Sequence, residues 1–185
     1  MKRILLGSLV AGTAVFVWGF LFWGVSGLPD AALSRTVDDA AAGQALLQYF
    51  PETGSYYLPG SNNPAEKLRI LHESGPVAFV YFNREGKPLM SPILLVYGFL
   101  HGVLIAVLVG IALGMLGSAL PAYGDRVKLV ALFGLASSIW IPISDSIWWY
   151  FPLPWQLWKI AGEFTSWLVL GLVLAYFVRA KPASA

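Results

Sequence analysis

Residues 92–120 read PILLVYGFLHGVLIAVLVGIALGMLGSAL, with His101 the only ionisable side chain among them. Hydrocarbon offers no partner to a backbone amide, so a chain that crosses a bilayer as a single segment does so as a helix of about 20 apolar residues. This stretch meets that requirement and decides the fold class. It also places a small residue at every fourth position: Gly98, Gly102, Ala106, Gly110, Gly114 and Ser118. Helices in lipid associate by close contact rather than by hydrophobic driving force, so the stripe marks a face on which another backbone packs. A helix of the same chain is the first reading of that partner; a second copy in a homo-oligomer is the alternative.

Three further stretches resemble it. Ile4 to Leu28 carries no charge, Leu129 to Phe151 contains Asp145, and Trp155 to Val178 contains Lys159 and Glu163. The whole chain agrees, since 57% of its 185 residues are hydrophobic and 12% charged, against about 25% charged in soluble domains. The expected fold is an all-α transmembrane four-helix bundle with a small α+β extracytoplasmic insert. Its expected parts are a first transmembrane helix over residues 1–28, the insert over 29–90, helices over 91–120, 128–151 and 155–178, and a cytoplasmic tail over 179–185. The first apolar run is longer than the roughly 7–15 residues of a signal-peptide core and ends without a clear A-x-A site, so an uncleaved anchor is expected.

Charge supplies an orientation. Lys2 and Arg3 precede the first span, Arg126 and Lys128 separate the second from the third, and Arg179 and Lys181 follow the fourth. Four spans put these three groups on one side, and the positive-inside rule makes that side cytoplasmic, with both termini in the cytoplasm. Six basic residues stand there against Asp125 alone, whereas the insert carries five basic and seven acidic residues. The overall charge of +2 conceals this asymmetry. The basic residues form no long run, so nucleic acid is not an expected partner; the bilayer is, together with a membrane-protein partner or a second copy. No cysteine is present, which excludes disulfides, thiolate metal sites and c-type haem attachment.

Within the insert, Val37 to Phe50 reads as an amphipathic helix started by Asp38 or Asp39 and ended before Pro51. Asn62 or Asn63 is expected to cap a second helix with Pro64 in its first turn, running to about Ser74. Tyr56-Tyr57-Leu58 and the β-branched, aromatic run from Val77 to Phe82 read as two short strands. Such a cap either shields the helix ends or offers its strand edges to a partner.

The eight tryptophans gather in the outer half of the spans (Trp18, Trp23, Trp148, Trp149, Trp155, Trp158), with Trp140 and Trp167 near mid-membrane and none in the inner half. A one-sided interfacial belt explains most of them; a ring-lined ligand site is the sharper alternative. Ionisable groups inside a membrane are costly and therefore informative. At 1.5 Å per residue, Asp145 and Glu163 lie roughly 9–12 Å below the outer surface, His101 at similar or greater depth, and Lys159 one turn from Glu163. The first reading of His101, Asp145, Lys159 and Glu163 is structural, with Lys159 neutralising one of the carboxylates and His101 hydrogen-bonding the other. A proton or cation site is the next. A metal site of His101, Asp145 and Glu163 lacks a ligand motif and is opposed by Lys159, so no metal or other cofactor is expected. No catalytic motif is present: an aspartate protease pair and a G-x-S-x-G serine are both missing.

Val17-Trp18-Gly19-Phe20, the run Pro51-Glu52-Thr53-Gly54-Ser55-Tyr56-Tyr57-Leu58-Pro59, Gly75-Pro76-Val77-Ala78-Phe79 and the turn Phe151-Pro152-Leu153 resemble an uncharacterised family of small four-helix bacterial inner-membrane proteins with an extracytoplasmic insert after the first helix. The resemblance implies a bacterial inner membrane and no activity. From the residues themselves, the leading expectation is a non-enzymatic accessory or scaffold subunit of a membrane assembly. The alternative is a proton- or ion-coupled transporter-like protein, or a membrane enzyme, that uses the polar cluster on an ion or a lipid-soluble ligand.

Overall fold

The computed structural model describes residues 2–178, so the tail expected over 179–185 lies outside the described residues. The chain forms α1 (Lys2–Gly19), which continues into a π-helical turn (Phe20–Val25), then α2 (Asp39–Tyr49), β1 (Gly54–Leu58), α3 (Ala65–Ser74), β2 (Ala78–Phe82), α4 (Pro92–Leu116), α5 (Tyr123–Trp148) and α6 (Leu153–Phe177). Four segments are long and apolar enough to cross a membrane: Lys2–Val25, Pro92–Leu116, Tyr123–Trp148 and Leu153–Phe177. These are the features of a multi-pass integral membrane protein.

Two boundaries differ from the expectation for physical reasons. The second span stops at Leu116 rather than Leu120 because Gly117 adopts φ +30°, a conformation an L side chain resists. The third begins at Tyr123, not 128, because Asp125, Arg126 and Lys128 fit the first turns of a helix. Asp125 stands at its N-terminus, where the helix dipole favours an anion, with Lys128 Nζ 3.8 Å away. The helix runs without interruption through Pro142, which is buried.

The spans form a row rather than a closed square. α1 packs between α4 and α6, α6 packs between α1 and α5, and α4 and α5 do not pack along one another. Glycines set these contacts. A Cβ on Gly12 would come within 2.8 Å of the Val103 Cα on α4, and one on Gly102 would lie 3.4 Å from the Gly12 carbonyl oxygen. Further along α4, Gly110 and Gly114 face Ile4, while Gly98 faces Phe16; Ala106 is fully buried in the core with Ala11. The stripe on α4 thus lies against α1, and Ser118 falls in the 3-10 turn Gly117–Ala119 beyond the helix end. On the other flank of α1, Gly7 accommodates Phe177. α5 seats Trp167 of α6 on Gly134, and Val130 packs on Gly171. The buried positions of α5 are Arg126, Val130, Gly134, Ser138 and Pro142, one residue in four along a single stripe.

The insert has the expected helix-strand-helix-strand order. β1 and β2 pair antiparallel with Tyr57 opposite Phe79 and Tyr56 opposite Val80. Alternate side chains point to opposite faces of a strand, and both faces are used. Tyr57 and Phe79 rest on Trp149, with ring centroids 5.5 and 5.6 Å away, and Phe79 also meets Phe151. Tyr56 and Phe82 stack on Phe50 at the end of α2. The cap is therefore seated on the turn between α5 and α6. Asp38 caps α2, accepting from the amides of Ala40 and Ala41, and Arg84 closes its other end by donating to the carbonyls of Leu47 and Phe50. Neither Asn62 nor Asn63 caps α3. Pro64 holds that position without a side-chain bond, and the amide of Asn63 donates back to the Gly60 carbonyl.

Candidate functional site

The four residues of the expected polar cluster, His101, Asp145, Lys159 and Glu163, separate into two pairs. At the cap end of the molecule, Lys159 Nζ stands 3.8 Å from Asp145 Oδ2, and Gln156 Nε2 donates to the same carboxylate at 3.5 Å. α5 contributes the carboxylate from its last turn and α6 the other two from its first turns, so this group ties the α5–α6 hairpin. Next to Asp145, the Ser146 hydroxyl is buried without a hydrogen-bond partner among the described residues.

His101 and Glu163 lie elsewhere. Both line a cavity of about 850 Å³ between α4 and α5, whose floor is formed by α1 and α6. Among the described residues no ion pair or hydrogen bond engages either side chain. Phe16, Phe20 and Trp23 of α1 and Trp167 of α6 supply aromatic walls. Ser137 and Ser166 also line it, but their hydroxyls donate to the carbonyls of Gly134 and Gly162 in their own helices, a local satisfaction common for serine in apolar helices. A second cavity of about 430 Å³ lies further along the same crevice. It is lined by apolar residues of α4 and α5, with Trp167 shared by both.

The crevice owes its shape to the end of α1. In the π-helical turn the Ser26 amide donates to the Leu21 carbonyl at 2.9 Å. Wider turns of this kind often accompany functional sites. Here Phe22 and Trp23, consecutive in sequence, both reach Gly162: a Cβ there would lie 2.8 Å from Phe22 Cε1 and 2.7 Å from Trp23 Cζ2. Phe22 also meets Trp158, and Trp23 meets Trp155. The Trp18 indole donates to Thr165 Oγ1 at 2.9 Å, fixing α1 against α6. The tryptophans therefore have different tasks. Trp18, Trp155 and Trp158 join helices, Trp149 carries the cap, Trp23 and Trp167 wall the crevice, and Trp140 and Trp148 remain exposed at 78% and 71%, as rings facing lipid would.

Three polar residues outside the expected cluster have structural roles. Gln156 is fully buried, and its position in an apolar span three residues before Lys159 was the available signal. Thr165 had none beyond its helical face. Arg126, counted in the sequence only as a cytoplasmic charge, is 5% exposed. Its guanidinium donates to the carbonyls of Leu120, Pro121 and Ala175 at 2.7, 2.8 and 3.1 Å. It thus binds the α4–α5 turn to the end of α6, where the helix dipole favours a cation. Among the described residues, His101, Asp145 and Glu163 do not gather into a set able to hold a metal ion. Comparison with protein-family models, curated proteins and solved structures finds no match, so no family is assigned to the chain.

Proposed function

We propose that the chain is a bacterial inner-membrane protein, with both ends cytoplasmic and the cap outside, which takes up a lipid-soluble ligand sideways from the bilayer into the crevice between α4 and α5. The observation that carries this reading is that His101 and Glu163, from two different helices, face one apolar, ring-walled cavity instead of pairing with the other intramembrane charges. Ionisable groups at such depth are retained at a cost and serve a purpose when no ion pair employs them. The lining holds no activated nucleophile, which favours binding or hand-over of the ligand above catalysis.

An accessory-subunit reading is supported by a different feature. The two-stranded cap leaves both outer strand edges unpaired among the described residues, and Tyr81 is 72% exposed; free edges and exposed rings are places where a second protein adds on. The two readings are compatible, since a subunit can deliver a ligand to its partner. Gentle purification followed by native mass spectrometry discriminates them: a bound small molecule on a single chain supports the crevice, and a stable heteromer without one supports the accessory role alone.

A further inference from the structure

Resting on the crevice as a ligand site, we infer that its ligand is a membrane quinone or quinol: an uncharged planar ring with oxygens at opposite ends and a long apolar tail. Charge narrows the head group first. Glu163 lines the cavity, no lysine or arginine does, and the nearby Lys159 is held by Asp145. A phosphate-headed lipid would bring its anion beside a carboxyl group in a cavity whose lining has no cation, with the ammonium of Lys159 3.8 Å from Asp145 Oδ2. The head is neutral.

Hydrogen-bonding capacity narrows it further. His101 on α4 donates to a carbonyl oxygen or accepts from a hydroxyl, and Glu163 on α6 does either according to its protonation. Both serines donate to their own helices, so the ligand meets two polar groups presented from two separate helices. A head with its oxygens clustered at one end, such as a diacylglycerol, offers them from one side only; a ring with oxygens at opposite ends offers one to each helix. Flat walls of Phe16, Phe20, Trp23 and Trp167 suit such a ring, since aromatic faces stack in offset or edge-on arrangements. The adjoining cavity of about 430 Å³, with almost no polar surface, receives the tail.

The test uses the full chain in phospholipid nanodiscs, titrated with a two-isoprene benzoquinone labelled with carbon-13 at its carbonyls and followed by infrared difference spectroscopy. Saturable binding of one quinone per chain is expected, with a carbonyl band lowered by hydrogen bonding. His101→Leu should abolish that lowering and weaken binding by about three- to tenfold, the worth of one hydrogen bond, at unchanged melting temperature. Ile105→Trp, which fills the cavity one turn from His101 on α4, should abolish binding. Non-saturable quinone uptake, or binding indifferent to both His101→Leu and Glu163→Leu, overturns the quinone assignment. In that case a saturable spin-labelled hydrocarbon probe, displaced by Ile105→Trp, would leave the lipid-ligand reading standing. If neither probe saturates and native mass spectrometry finds a partner protein instead, both readings fall.

Discussion

Single residues in an apolar span are judged by what they would cost if left alone. Asp145 is about three-quarters buried and has Lys159 and Gln156 as its partners. Lys159→Met is expected to lower unfolding stability by about 1–2 kcal/mol, less than a fully buried pair because both side chains keep some exposure. Asp145→Asn in the same chain should recover most of it, and a double-mutant cycle of thermal unfolding in detergent measures the coupling. Arg126 is the opposite case, a buried cation with carbonyl oxygens as its only partners in the structure described. Replacing it by Met should cost about 2–3 kcal/mol, and Lys should not restore the loss, because a single ammonium cannot fork between Ala175 and the Leu120–Pro121 turn. The sequence made it plain that the charges inside the spans matter. It did not show which partner Lys159 takes, because Glu163 one turn away on the same helix and Asp145 on the neighbouring helix are both within its reach.

At the scale of elements, the small-residue stripe of α4 was legible as a packing face, and its partner was not. A four-residue repeat records that a backbone approaches, and any helix can be the one that does. The structure gives that place to α1, with Gly12 and Gly102 at the closest approach. Gly12→Ala should therefore cost about 1–3 kcal/mol, as overpacking typically does, because the atom its Cβ would meet includes the Val103 backbone. Gly98→Ala, whose nearest neighbour is a ring carbon of Phe16 at 3.7 Å, should be close to neutral. Melting temperatures of the two variants in the same detergent give the comparison. By the same logic Gly102→Leu with Gly110→Leu should reduce the folded fraction before it changes oligomeric size. The π-helical turn of α1 had no such signal, since Phe20 to Val25 continue the apolar run in which they sit. Its cause is tertiary: both Phe22 and Trp23 must reach Gly162.

For the molecule as a whole, spans and cap could be read in the sequence because each is written locally, in apolar length, turn residues and strand composition. Their lateral order could not, since all four spans carry small residues and any circular arrangement satisfies them. The row α4–α1–α6–α5 leaves the crevice that the polar cluster alone did not reveal. The proposed orientation is testable on a chain without native cysteine: in intact spheroplasts, Glu73→Cys should react with a membrane-impermeant maleimide, and Lys128→Cys only after lysis. The crevice has a mechanical consequence as well. α4 is held mainly by α1, α1 by α6, and α6 by α5, so the walls of the smaller cavity are connected through three interfaces rather than one. Spin labels at Met115 and Phe133, both lining that cavity, should give a broader distance distribution in nanodiscs than labels at Phe133 and Leu172, which span the directly packed α5 and α6. Equal widths would mean that α4 and α5 close on each other in the bilayer, and the crevice would then have no room for a ligand.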